Sequence, residues 1–244
     1  MWAAIVRRFG NKPRMTLAIA CDNVPQAGPA VVQLRSMLHA TDLACLKGDR
    51  LLFRGLDVDL PAGRMLRVAG PNGSGKTSLL RILCGLAVPE YGEVYWHGEA
   101  VRRTREAFHG QLLYLGHLPA LNDLLSPLEN LHFTLAASGE RVAPAACVAA
   151  LERIGLGAQI DLPTRVLSQG QRRRVGLARL FVSAQRPLWI VDEPFTALDA
   201  AAVADVAGTL SAHCAAGGMV VLTTHQDAPF TTPPEVLDLT EVAV

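Results

Sequence analysis

The chain has 244 residues, half of them hydrophobic, which supplies enough apolar surface for one large α/β domain and excludes a disordered chain. Its 23 Lys+Arg against 22 Asp+Glu leave a formal charge of +1, so no global field draws it to nucleic acid or anionic lipid. No stretch approaches the roughly 20 apolar residues of a membrane span, and the five cysteines form no CxxC pair, which argues against zinc, redox or haem-attachment chemistry and fits a reduced cytoplasmic setting.

In chain order, residues 1–36 lack sustained periodicity and carry Pro13, Pro25, Gly28 and Pro29 with a basic excess, so they read as a flexible extension. The apolar run from Met15 to Cys21, preceded by Arg7, Arg8, Lys12 and Arg14, is too short for a secretion signal. Residues 37–244 are read as one domain. Strands are expected at 38–46, 51–60, 64–69, 93–96, 112–115, 188–191, 219–223 and 236–239, and helices at 77–85, 127–137, 145–154, 169–182 and 201–215. Strands separated by helices predict a mainly parallel sheet covered on both faces, with a small antiparallel β part and a helical subdomain at about 118–186.

The stretch Gly70 to Thr77 (GPNGSGKT) fits the G-x-x-x-x-G-K-[ST] pattern and lies where a strand turns into a helix. Glycines at 70, 73 and 75 let backbone N–H groups curl around an anion, and the helix that follows adds its positive end. Gly70, Pro71, Asn72, Gly73, Ser74, Gly75, Lys76, Thr77 and Ser78 are therefore the expected phosphate cradle. Lys76 neutralises charge, and the Thr77 hydroxyl is available to Mg²⁺. Lysine occurs only at 12, 47 and 76, so a chance match is rare.

The apolar strand at 188–191 ends in Asp192 and Glu193. Behind a phosphate loop, Asp192 is suited to hold Mg²⁺ and Glu193 to orient or deprotonate the attacking water. Between the two motifs, Leu167 to Gln171 (LSQGQ) opens an arginine-rich helix in which Ser168 is the expected N-cap and Gly170 permits close approach. The pairs Leu198–Asp199 and His225–Gln226 follow. Trp189 is read as core.

These five motifs, in this order from Gly70 to Gln226, resemble the ATP-binding cassette ATPases, and the resemblance covers about residues 38–240. It implies a P-loop NTPase cassette fold and a head-to-tail homodimer with ATP and Mg²⁺ as ligands. Each ATP would lie between Lys76 and Thr77 of one copy and Ser168, Gly170 and Gln171 of the other. In this pattern Lys76, Glu193 and His225 serve catalysis, Thr77 and Asp192 hold the metal, and Asp199 lies at the dimer interface.

The stretches at 114–117, 126–133, 167–180, 188–199 and 222–226 most resemble the branch of bacterial cassettes serving cytochrome c biogenesis and haem export. That branch implies an integral membrane partner and a peripheral place on the cytoplasmic side of the inner membrane, with membrane association through the partner only. His117 stands where most cassettes have glutamine, and is a poor match for hard Mg²⁺. Gln169 replaces a usual glycine, and no aromatic residue lies at 45–47 to stack on adenine. Other readings are an importer or lipid-exporter ATPase, an ATP-gated assembly module, and a DNA-maintenance ATPase. The last rests on Arg172, Arg173, Arg174 and Arg179 as phosphate contacts, but the chain has no coiled-coil heptads, so no nucleic-acid partner is expected and those arginines are assigned to a solvated or intersubunit helix face.

Overall fold

The structure is a computed structural model that describes residues 37–240 and the backbone of Met15–Thr16. The expectation of a flexible extension over 1–36, Cys21 included, falls almost wholly outside the described residues. Two sheets organise the chain. The first is β1 (Met15–Thr16), β2 (Leu38–Lys47), β3 (Arg50–Leu60), β5 (Tyr91–Trp96) and β6 (Glu99–Ala100), in the order β1-β3-β2-β5-β6. Its ladders are antiparallel except for β1, whose two residues run parallel to Leu56 and Asp57.

The second sheet is parallel throughout and ordered β10-β4-β9-β8-β7, from β4 (Met65–Ala69), β7 (Leu112–Leu115), β8 (Leu188–Asp192), β9 (Met219–Thr223) and β10 (Glu235–Asp238). Both central strands, β8 and β9, are buried at every residue, which is why they read as continuous apolar runs. Their alternation divides the core. Leu188, Ile190, Met219 and Val221 face the first sheet and helix α1 (Lys76–Leu83), while Trp189, Val191, Val220 and Leu222 face the helices on the other side. Each such side chain contributes about 1.5–3 kcal/mol by leaving water.

Between residues 118 and 186 lie α3 (Pro127–Ala137), α4 (Pro144–Arg153) and α5 (Gln169–Leu177); a short α2 (Arg105–His109) precedes β7, and α6 (Ala200–Ala215) follows β8. Ser126 caps α3 through a capping box with Glu129, and Pro127 at the first helical position removes an N–H that has no intrahelical partner. The helix expected at 169–182 is shorter: after Leu177 the chain tightens into a 3₁₀ turn over Ala178–Phe181. The change follows Gly176, a weak helix former near the end of the segment. Helix α2 and strand β6 are too short to leave a periodic signal and were not expected.

The arginine-rich helix is not a solvated face. Arg172 pairs with Asp123 at 2.5 Å and donates to the Thr164 carbonyl at 3.2 Å. Arg173 turns inward, and Arg179 is buried enough to lower its pKa against the opposing pull of Glu140. Successive helical residues point about 100° apart, so three arginines in a row cannot share one face. Among the described residues, no helix is long and apolar enough to cross a membrane, and the four cysteines are free and buried.

Candidate active site

The phosphate loop connects β4 to α1 at the carboxyl edge of the parallel sheet, where ligands bind in such folds. Gly75 caps α1 at φ +106°, and a Cβ there would lie 3.1 Å from Leu52 and 3.2 Å from the Phe53 ring, so only glycine lets the loop lean on β3. Gly70, at φ +134°, would bring a Cβ to 2.8 Å from the Ser74 hydroxyl. Lys76 Nζ donates to the carbonyls of Gly70 at 2.7 Å and Pro71 at 3.1 Å, which holds the ammonium over the loop.

Thr77, first residue after that lysine, donates its hydroxyl to Asp192 Oδ2 at 2.9 Å. The other carboxylate oxygen accepts from the Thr223 hydroxyl at 2.6 Å, across a β8–β9 register that pairs Asp192 with Thr223. Thr223 Oγ1 in turn accepts from the Glu193 N–H at 2.9 Å. Glu193 stands at φ +54°, which turns its side chain out of the strand direction. Its carboxylate lies 3.5 Å from His225 Nε2, the histidine being half exposed.

A hydroxyl and a carboxylate oxygen side by side at the mouth of a phosphate loop form a hard-oxygen pair that suits Mg²⁺. The donor set fits the ion.

The signature residues bond locally instead. Ser168 caps α5: its Oγ accepts from Gln171 N at 3.2 Å, and Gln171 Oε1 accepts from Ser168 N at 2.8 Å. A Cβ on Gly170 would meet Ala197 at 3.3 Å, so the glycine lets the segment after Glu193 pack closely on the helix start. Asp199 caps α6, accepting from Ala202 N at 2.8 Å. Thus Lys76, Thr77, Asp192, Glu193 and His225 are brought together. Ser168, Gln171 and Asp199 bond at their own helix starts, and Gly170 lies against Ala197.

His117 is exposed, and its carbonyl accepts from Arg173 at 2.5 Å. It lines a cavity of about 450 Å³ together with Thr77, Arg81, Tyr114, Arg173 and Asp192. There the Tyr114 hydroxyl is pushed up to about 12, first by burial and then by the neighbouring Cys84 and Asp192. Two contributors escaped the sequence. Thr223 has the signal of a polar residue ending an apolar strand, whereas Arg173 is hidden in a run of like residues.

The ABC transporter family model matches residues 53–196. The chain is 70% identical over 213 residues to the cytochrome c biogenesis ATP-binding export protein CcmA of Aromatoleum aromaticum, covering 87% of this chain and all of that one. It is 50% identical to the protein of the same name from Dechloromonas aromatica, over 78% of this chain and 93% of that one. Among solved structures, a putative ABC transporter ATP-binding protein of Pyrococcus furiosus aligns with a TM-score of 0.71 at 22% identity, covering 85% of this chain and 99% of that one. A dimeric ATP-binding cassette in a post-hydrolysis state with ADP and Pi aligns with a TM-score of 0.68 at 23% identity, over 78% and 88% of the two chains. With the phosphate loop, the paired carboxylates and the parallel sheet that carries both, these matches place the chain in the ABC transporter family, among the cytochrome c biogenesis ATP-binding export proteins.

Proposed function

We propose that this chain is the ATP-binding and ATP-hydrolysing subunit of a membrane transporter for cytochrome c biogenesis, serving haem export or release of haem to a chaperone. The observation that carries the reading is the 2.9 Å contact between Thr77 and Asp192 at the phosphate loop, with Glu193 next in the chain. Loop N–H groups and Lys76 hold the β- and γ-phosphates. Thr77 and Asp192 are the residues to hold Mg²⁺, which when bound neutralises phosphate charge. Glu193 takes the proton of the attacking water, and His225 orients the carboxylate and meets the γ-phosphate.

Ser168, Gly170 and Gln171 complete the site of a second copy arranged head to tail, with Asp199 at the interface. Their local bonding supports this, because within one chain the Ser168 and Gln171 side chains bond only to their own helix start. ATP then favours the closed dimer, and hydrolysis removes the bridging charge. Exposed Leu118, Leu124, Phe133 and Val166 on the helical part support docking to an integral membrane subunit, and with it a peripheral place on the cytoplasmic side of the inner membrane.

Two variants test the reading. Lys76→Ala is expected to weaken ATP binding, whereas Glu193→Gln is expected to keep binding, lower hydrolysis at least a hundredfold and accumulate a nucleotide-bound dimer on size exclusion. Hydrolysis by Glu193→Gln at the parental rate refutes the assignment. Purification from membranes through a tagged copy of the chain is expected to bring an integral subunit with it.

A further inference from the structure

The Arg173 guanidinium is half-buried and makes three hydrogen bonds, all to backbone carbonyls and all on other elements. Nη1 donates to the His117 carbonyl at 2.5 Å, at the start of the loop leaving β7. Nη2 donates to the Asp192 carbonyl at 2.8 Å and to the carbonyl of Glu193. Its own helix, α5, begins at Ser168. One side chain therefore joins the catalytic carboxylate's backbone, the loop bearing His117, and the helix headed by Ser168.

Glu193 is where such a clamp matters. At φ +54° it holds a left-handed conformation that a non-glycine residue keeps only when its surroundings fix it. Its N–H is fixed by Thr223, through both the carbonyl at 3.2 Å and the hydroxyl at 2.9 Å. Its carbonyl is fixed by Arg173. Holding both peptides that flank the residue sets where the carboxylate points. Burial lowers the pKa of Arg173 while Asp192 and Glu193 oppose the shift, and a guanidinium starts high enough to stay charged. The planar fork spreads its donors over two nitrogens and so spans carbonyls on two elements, whereas the three donors of an ammonium share one nitrogen.

We propose that Arg173 is a positioning residue for ATP hydrolysis, which fixes the main chain of Glu193 and couples that carboxylate to the His117 loop and to the helix headed by Ser168. This rests on the reading of Glu193 as the residue that activates water. Arg173 touches no reacting atom, so its loss acts on rate and spares nucleotide binding.

The test uses the complex purified from membranes through a tagged copy of the full chain, with Mg·ATP as the probe. Arg173→Ala is expected to lower kcat at least tenfold while KM and ATP affinity stay within threefold. Arg173→Lys, which keeps the charge but loses the fork, is expected to recover only part of kcat. In a Glu193→Gln background, Arg173→Ala is expected to cause no further loss, because it acts through that residue. Equal losses in kcat and affinity, or a kcat within twofold of the parent for Arg173→Ala while Glu193→Gln is inactive, overturn the proposal. Parental activity in Glu193→Gln overturns the underlying reading instead. Should Arg173→Ala fail to fold by its melting curve, Arg173→Lys and Arg173→Gln decide by the same kcat and KM split.

Discussion

Glu140 and Arg186 form a nearly dry ion pair where the helical part of the chain rejoins the parallel sheet, their side chains being 2% and 6% exposed. Arg186 Nε lies 3.3 Å from Glu140 Oε1, yet that oxygen has no aligned hydrogen bond, so the contact is chiefly electrostatic. Gln185 donates to the other carboxylate oxygen. The rest of the guanidinium donates to the carbonyls of His109, at 3.1 Å, Gly110 and Ser138, tying the end of α3 to the segment before β7. Replacing Arg186 with alanine leaves the buried carboxylate with one neutral donor and the pull of Arg179, and breaking a buried pair from one side costs about 3–5 kcal/mol. Removing the two charges together still leaves the buried Arg179 without the pull of Glu140, so Arg186→Met with Glu140→Leu is expected to recover only part of that loss.

At about 2–4 °C per kcal/mol for a chain of this size, the single variant is expected to melt roughly 6–20 °C below the parent. Urea unfolding followed by circular dichroism measures the free energies, and the double variant closes the cycle. A cost below about 1 kcal/mol for Arg186→Ala would show a pair hydrated like a surface ion pair, and the reasoning from burial would fail.

Two further outcomes follow from the geometry. His213 stacks on Trp189 with ring centroids 3.8 Å apart and planes 5° from parallel, and burial lowers its pKa despite a hydrogen bond to the Pro187 backbone. The unfolded chain then binds the proton more readily, so its contribution to stability is full above about pH 6.5 and is lost as pH falls below it. His213→Phe, which keeps a ring on Trp189, is expected to narrow the gap between urea midpoints at pH 7.5 and pH 5.5; an unchanged gap counts against the assignment. His117→Ala is expected to lower partner-stimulated ATP turnover while leaving ATP affinity within a few fold, and His117→Gln to preserve turnover. Equal stimulated turnover in parent and His117→Ala would leave His117 as an ordinary exposed residue.

Local pattern carried the strands and the phosphate loop because their causes are local: a buried strand must be apolar, and an anion cradle must be glycine-rich. Asp192 and Glu193 were legible for the same reason, standing at the abrupt end of an apolar run. Strand order β10-β4-β9-β8-β7 was not, since periodicity says which faces are buried and nothing about which strand lies beside which. Thr223 enters the site only through its register with Asp192, a property of the assembled sheet. The arginine run misled for a geometric reason. Side chains 100° apart on a helix reach different neighbours, and Arg172 and Arg173 do so, one to Asp123 and the other to Glu193.

The capping box at Ser168 also bears on how a helix start can serve a phosphate in the proposed dimer. Ser168 Oγ spends acceptor capacity on Gln171 N, and Gln171 Oε1 spends its own on Ser168 N. What remains unspent on each side chain is mostly donor: the serine O–H and the glutamine NH₂. Arg173, on the next turn, commits its two Nη groups to carbonyls of this chain and so cannot follow the phosphate. In the proposed dimer the helix start therefore offers donors, backed by the positive end of the helix, to the γ-phosphate held by the other copy. The same residues that end the helix thus set the polarity of the surface that a second nucleotide would meet.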